Sequence, residues 1–160
     1  MILRLSYRNY DNGAYGTVFF NKTNNKAIKV FKRKESNRDE QIKSTFKSEV
    51  SAYNIAMENN NLKTFVPEFY GEINDIEKIL DEYGSDISKE YFLNLAYAMK
   101  YIPKKFVKNN DYRVDVNHKN EVFKLFDDAG ITYVKDSSVS VKENGEIVYI
   151  IDFAVNDHSP

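Results

Sequence analysis

The sequence predicts an α+β domain on three observations. Alternating, strand-like runs fill its first third and its last third. Between them lies one strongly periodic helical stretch, from about Arg38 to Glu58. The chain has 160 residues, 42% of them hydrophobic and 14% aromatic, enough for one core, and no Pro- or Gly-rich linker divides it.

Residues 2–10, ILRLSYRNY, alternate loosely and read as a strand. A turn-rich NYDNGAYG follows, and then TVFF and KAIKVF, joined by NKTNN, read as a hairpin. Residues 35–41 are polar and predict a loop. In the long helix Ile42, Phe46, Val50, Tyr53 and Met57 recur at spacings of three and four, the stripe of an amphipathic helix. A loop and a strand near 68–73 come next, then a short helix from Asp75 to Tyr83. YFLNLAYAMKYIP reads as a buried strand that ends at Pro103. Residues 104–116 read as a polar connection. Asn117 to Asp127 forms a second amphipathic helix with Val122, Leu125 and Phe126 inward and Gly130 near its end. ITYV, SVSV and EIVYIID are strand-like, the last two joined at an Asn144-Gly145 turn.

Composition removes several classes of function. There is no cysteine, so neither a disulfide framework nor a thiolate metal site is available. Net charge is -1, with 23 basic and 24 acidic side chains, so no global field points to nucleic acid or to an anionic membrane. Lys32-Arg33-Lys34 and Lys104-Lys105 read as solvated faces. MILRLSYRNYDN lacks the apolar core of a signal peptide, and no stretch is long enough to span a bilayer. The expectation is a soluble protein of a cytoplasm, bacterial or that of a host. His118 and His158 are too few for a zinc site and read as structural or solvent-exposed.

Four features carry chemistry. DNGAYGTV, residues 11–18, is a glycine turn between strands; without Cβ atoms its N–H groups can approach phosphate oxygens, though an ordinary hairpin has the same look. In Ala27-Ile28-Lys29 the lysine shares a strand face with Ala27 and Phe31. Such an ammonium either meets an anion or snorkels to water. Glu49 lies on the apolar stripe of the long helix, where it either finds a cation or reaches solvent at the edge. Asp152 ends the apolar EIVYIID and either holds a hard cation or caps a turn.

In this order the four features resemble the protein-kinase superfamily, from about residue 5 to 157. DNGAYGTV is similar to G-x-G-x-x-G-x-V with Asp11 for the first glycine; AIK resembles V-A-I-K; IIDFA resembles I-x-D-F-G with Ala154 for the glycine. The resemblance implies one domain over 1–160. Its N-lobe, about 1–102, is an antiparallel sheet with one long helix, and its C-lobe, about 103–160, is severely reduced. Lys29 becomes the phosphate-binding lysine and Glu49 its helix partner. Gly13, Gly16, Val18, Ala27, Met99 and Tyr101 become nucleotide contacts. Asp152 becomes the Mg2+ ligand, with Ser138 or Ser140 supplying an oxygen. Asp136 takes the place of the catalytic aspartate, with Val134 and Lys135 before it, and Val141 stands where the family has asparagine. No activation segment or A-P-E motif is seen after Asp157.

What the resemblance implies is an ATP- and Mg2+-dependent kinase acting on Ser, Thr or Tyr of a partner protein, like the reduced kinases of bacterial effectors and phages. The missing asparagine and Ala154 imply an alternative, a pseudokinase that binds and sequesters a partner. A small-molecule kinase of the aminoglycoside-phosphotransferase type would need a larger helical lobe than this chain offers. Neither the target nor the oligomeric state is legible.

Overall fold

The alternating runs at both ends of the chain become sheets and the periodic middle becomes the longer of two helices. The computed structural model describes residues 1–157, so His158 lies outside the described residues. The strands are β1 (Ile2–Arg4), β2 (Tyr10–Asn12), β3 (Gly16–Asn21), β4 (Lys26–Lys32), β5 (Phe69–Ile73), β6 (Lys78–Leu80), β7 (Tyr91–Lys100), β8 (Val107–Lys108), β9 (Ser138–Val141) and β10 (Ile147–Ile151). The helices are α1 (Asp39–Glu58) and α2 (Val116–Asp128). The class is mixed α+β. Two compact units divide the chain: Met1–Phe46 with Tyr70–Tyr101, and Lys47–Phe69 with the chain from Ile102 onward.

In the first unit five strands run in the order β2-β3-β4-β7-β5. The β3–β4 hairpin turns at Asn21, whose side chain accepts from the N–H groups of Thr23 and Asn24, with Asn25 left-handed at φ 56°. One face of this sheet buries Phe19, Ile28, Val30, Ala96 and Ala98 with Ile76, Ile79 and Tyr91. The opposite face carries Phe31 and Tyr97, whose rings meet Phe46 of α1 at 5.4 and 6.4 Å. Ile42, Phe46, Val50 and Tyr53 of α1 are buried, as the stripe predicts.

In the second unit β9 and β10 pair across the Asn144-Gly145 turn, with β8 on the far side of β9. Gly145 is left-handed, and a Cβ there would lie 2.6 Å from the Arg113 carbonyl oxygen. Asp115 caps α2 by accepting from the His118 N–H at 2.9 Å. At the other end Gly130 and Ile131 return N–H groups to Asp127 and Phe126, a Schellman closure. His118 is structural: its Nδ1 accepts from the Ile147 N–H at 2.8 Å.

The stretch 104–116, expected as a plain connection, holds β8, and three further expectations fail for identifiable reasons. The single strand over 2–10 splits, because the chain turns at Ser6–Asn9 with Arg8 left-handed; β1 then pairs in parallel with β6, and β2 with β3. The helix over Asp75–Tyr83 is β6 and a turn instead. Met1 and Leu5 offer that segment backbone partners, and the Asp81 carboxylate gathers the N–H groups of Tyr83 and Ser85, whereas so short a helix has little to nucleate it. ITYV forms no strand, only the isolated pair Tyr133–Ala154. No helix among the described residues is long and apolar enough to cross a membrane.

Candidate functional site

The first unit gathers most of the residues nominated for a nucleotide onto one surface. Val18 pairs with Lys29, and Lys29 with Tyr97; Phe20 pairs with Ala27, and Ala27 with Met99. Paired residues share a face, and so do alternate residues along a strand. Val18, Phe20, Ala27, Lys29, Met99 and Tyr97 therefore line the face opposite the Phe19–Ile28–Val30 core. Ala27 is buried, while Val18 and Met99 are half-buried. Tyr101 donates its N–H to the Asn25 carbonyl at 2.7 Å and stacks obliquely on Phe20 at 5.1 Å. The Lys29 ammonium lies 4.9 Å from the centre of the Phe31 ring and 6.0 Å from that of Tyr97, within cation–π range of both.

The glycine turn has a structural explanation at one of its two glycines. A Cβ on Gly16 would stand 2.3 Å from the Val30 carbonyl oxygen, so strand pairing alone requires glycine there. Gly13 closes the turn by donating to the Gly16 carbonyl at 2.8 Å, and a Cβ on it would meet nothing nearer than 3.6 Å. At the root of the turn Thr17 is wholly buried; its hydroxyl lies 2.8 Å from the Asn12 side-chain oxygen and 2.9 Å from the Tyr91 hydroxyl. Burial holds the Tyr91 phenol above its ordinary pKa.

Glu49 is 5% exposed, which removes the reading of a stripe-edge carboxylate in water. A carboxylate so buried persists only where cations or donors meet it.

In the second unit Asp136 and Asp152 occupy the two sides of one interrupted ladder. Ser138 pairs with Ile151, and Tyr133 pairs with Ala154. Between these pairs lie four residues on one segment, 134–137, and two on the other, Asp152 and Phe153. Both segments bulge there, and each bulge carries one exposed carboxylate. Asp152 is left-handed at φ 63°, a conformation that Asp and Asn tolerate better than most residues. Its N–H reaches the Tyr53 hydroxyl at 3.4 Å. Phe153, 1% exposed, anchors the bulge on Tyr53 and Phe126, with ring centres at 4.5 and 5.1 Å. Beyond it, Val155 and Asn156 donate to Ser48 of α1 at 3.3 and 3.0 Å, while Thr132 donates its hydroxyl to the Val155 carbonyl at 2.7 Å. Asp136 accepts from the Tyr133 hydroxyl, and Lys135 pairs with Asp157 at 3.1 Å.

The two nominated serines differ. Ser138 pairs with the residue just before Asp152. Ser140 stands two residues further along β9, about 7 Å away; its hydroxyl is buried and without a hydrogen-bond partner among the described residues. No cluster of three or more His, Cys, Asp or Glu able to hold a metal occurs among the described residues. A hollow of about 350 Å³ lies beside the start of α2, lined by Asp115, Asn117, His118, Glu121, Asn144 and Glu146, and by none of the nominated residues.

Sequence reasoning missed Asn109. It is buried behind β8, inside the stretch expected to be a plain connection, and its amide reaches the carbonyls around Asp136. A strand of two residues has no periodicity to detect. Comparison with known proteins finds no matching family model, no matching curated protein and no matching solved structure.

Proposed function

We propose that the chain is an ATP-dependent phosphotransferase of protein-kinase-like build, acting on a Ser, Thr or Tyr hydroxyl of a partner protein. The observation that carries this reading is the pair of exposed carboxylates, Asp136 and Asp152, on opposed bulges of one ladder. The shared face of Val18, Ala27, Lys29 and Met99 supports it.

A nucleotide-bound magnesium needs only one or two carboxylates, because phosphates and water supply its other ligands. Asp152 with Ser138 fits that demand, and the want of a three-carboxylate cluster does not oppose it. Magnesium, when bound, neutralises charge on the β- and γ-phosphate oxygens. Lys29 holds the α- and β-phosphates. Val18, Ala27, Met99 and Tyr101 offer apolar surface to the base. Asp136 aligns the acceptor hydroxyl and takes its proton; the hydroxyl oxygen bonds to the γ-phosphorus as the bridging bond to ADP breaks.

The test is transfer of labelled phosphate from MgATP into the chain itself or into proteins of a cell lysate. Wild type transfers it, and Asp152→Asn and Lys29→Ala each lose about a hundredfold or more. Asparagine is chosen at 152 because it tolerates the left-handed backbone. Val141 and Ala154 favour a second reading, a pseudokinase that binds and sequesters a partner protein and holds nucleotide without turnover. It predicts a thermal shift at saturating MgATP, about 2.7 kcal/mol at a hundred times Kd, and no transfer. Neither shift nor transfer sinks both.

A further inference from the structure

The bulge that carries Asp136 is gripped from one side by two neighbouring side chains. Asn109, 8% exposed, places its amide nitrogen 2.9 Å from the Lys135 carbonyl oxygen and 3.0 Å from that of Ser137. The same nitrogen lies 3.4 Å from the Val134 carbonyl and 3.2 Å from the Ser137 hydroxyl. Lys108, at the end of β8, brings its ammonium 3.3 Å from the Asp136 carbonyl. Every carbonyl from 134 to 137 thus faces donors from residues 108 and 109. The Asn109 N–H adds a bond to the Ser137 carbonyl at 3.2 Å, and Ser137 closes the turn onto Val134 at 3.0 Å.

An amide NH2 has two protons, so these acceptors converge on one group and fix the bulge around it. Carbonyls turned inward leave the Asp136 side chain outward, where it is exposed and steadied by the Tyr133 hydroxyl. Burying an asparagine is costly unless its hydrogen bonds are made. Here the amide nitrogen's contacts all go to one four-residue segment.

We propose that Asn109 is the positioning residue of the transfer site: it sets the conformation of 134–137 and thereby the reach of the Asp136 carboxylate. The inference rests on the phosphotransferase reading and adds to it a residue that touches neither nucleotide nor acceptor. Asn109 then governs the transfer step and leaves nucleotide affinity alone.

The experiment uses the whole chain. Asn109→Asp keeps the shape and removes the donors. Its kcat for phosphate transfer falls roughly ten- to a hundredfold, as displacement of a reacting group costs. KM for MgATP stays within about twofold, since Lys29 and Asp152, the main holders of the nucleotide and its metal, lie outside the 134–137 segment that Asn109 grips. Amide exchange over 134–138 quickens, while that of the five-stranded sheet does not change. A merely structural role would lower the thermal midpoint and leave the kcat of the folded fraction intact, and that result overturns the inference. So does an undiminished kcat alongside faster exchange at 134–138. Should Asn109→Asp fail to fold, Lys108→Ala, at an exposed side chain, takes its place. It is expected to lower kcat severalfold at unchanged KM, and an unchanged kcat is then the overturning result. Wild type that transfers no phosphate sinks the phosphotransferase reading and this inference together; an active wild type with an undiminished variant sinks the inference alone.

Discussion

In the five-stranded sheet, Val18, Ala27, Lys29 and Met99 share a face because three strands pair in register. Just past the end of the β9–β10 ladder, Asp136 and Asp152 stand between its last pair, Ser138–Ile151, and the isolated pair Tyr133–Ala154. Regular pairing delivers side chains at fixed spacing and leaves the backbone unstrained. An interrupted ladder frees two side chains from the pleat, and the bulges then need other support. That support is visible: Phe153 between Tyr53 and Phe126, Ser48 against Val155 and Asn156, Asn109 against 134–137. A platform can rest on hydrogen-bonded strands alone, whereas a pair of projecting carboxylates must be propped from behind.

Removing a prop breaks this contrast most sharply. Phe153→Ala is expected to cost about 3–5 kcal/mol in urea unfolding, the range for deleting a buried aromatic ring. It should also loosen the Asp152 segment in hydrogen exchange ahead of the five-stranded sheet. A cost below about 1 kcal/mol would mean that the ring is not what supports the bulge.

A smaller effect probes the regular sheet. Gly16→Ala forces a methyl group against the Val30 carbonyl oxygen and should cost about 1–3 kcal/mol. Gly13→Ala, in the same turn, meets no such obstacle and should be neutral or stabilising by up to about 1 kcal/mol. Equal losses at the two positions would show that the turn, not the strand pairing, sets the requirement.

The smallest effect concerns the turn after β8, next to Asn109. Arg113 grips both oxygens of Asp111, at 2.9 and 3.0 Å. That side chain first, and then the Arg113 backbone N–H, holds the Asp111 carboxyl at about 2, below its ordinary 3.8. A depressed value favours the folded state above the ordinary pKa, and this contribution fades as pH falls through about 2. The pair lies at the surface, half-exposed, so the gain is slight. Asp111→Asn should flatten the acid limb of stability between about pH 4 and pH 2, followed by tyrosine signals because the chain has no Trp. An unaltered acid limb would show that the pair contributes nothing.

Much of the fold was legible because the elements that dominate it are periodic. The stripe Ile42–Phe46–Val50–Tyr53 fixed α1, and the pattern of KAIKVF placed Ala27, Lys29 and Phe31 together. Val122, Leu125 and Phe126 marked a helix over Asn117–Asp127, one residue short of α2 at each end. What escaped was decided by partners remote in sequence. Nothing local in Asp75–Tyr83 announces that Met1 and Leu5 will claim its backbone. Nothing in 104–116 announces that one asparagine will reach the carbonyls some 26 residues on. The residues nominated for chemistry were found by type and order; their supports, being ordinary Phe, Ser and Asn, carried no such mark.

Gly16 bears on how descendants of this chain should be compared. As long as β3 and β4 remain neighbours, natural variation at that position is penalised by a steric collision with main-chain oxygen. An evolutionary lineage without the proposed phosphotransferase chemistry would still keep glycine there. Its persistence in relatives is therefore uninformative about activity, and the positions worth watching for drift are Lys29, Asp136 and Asp152.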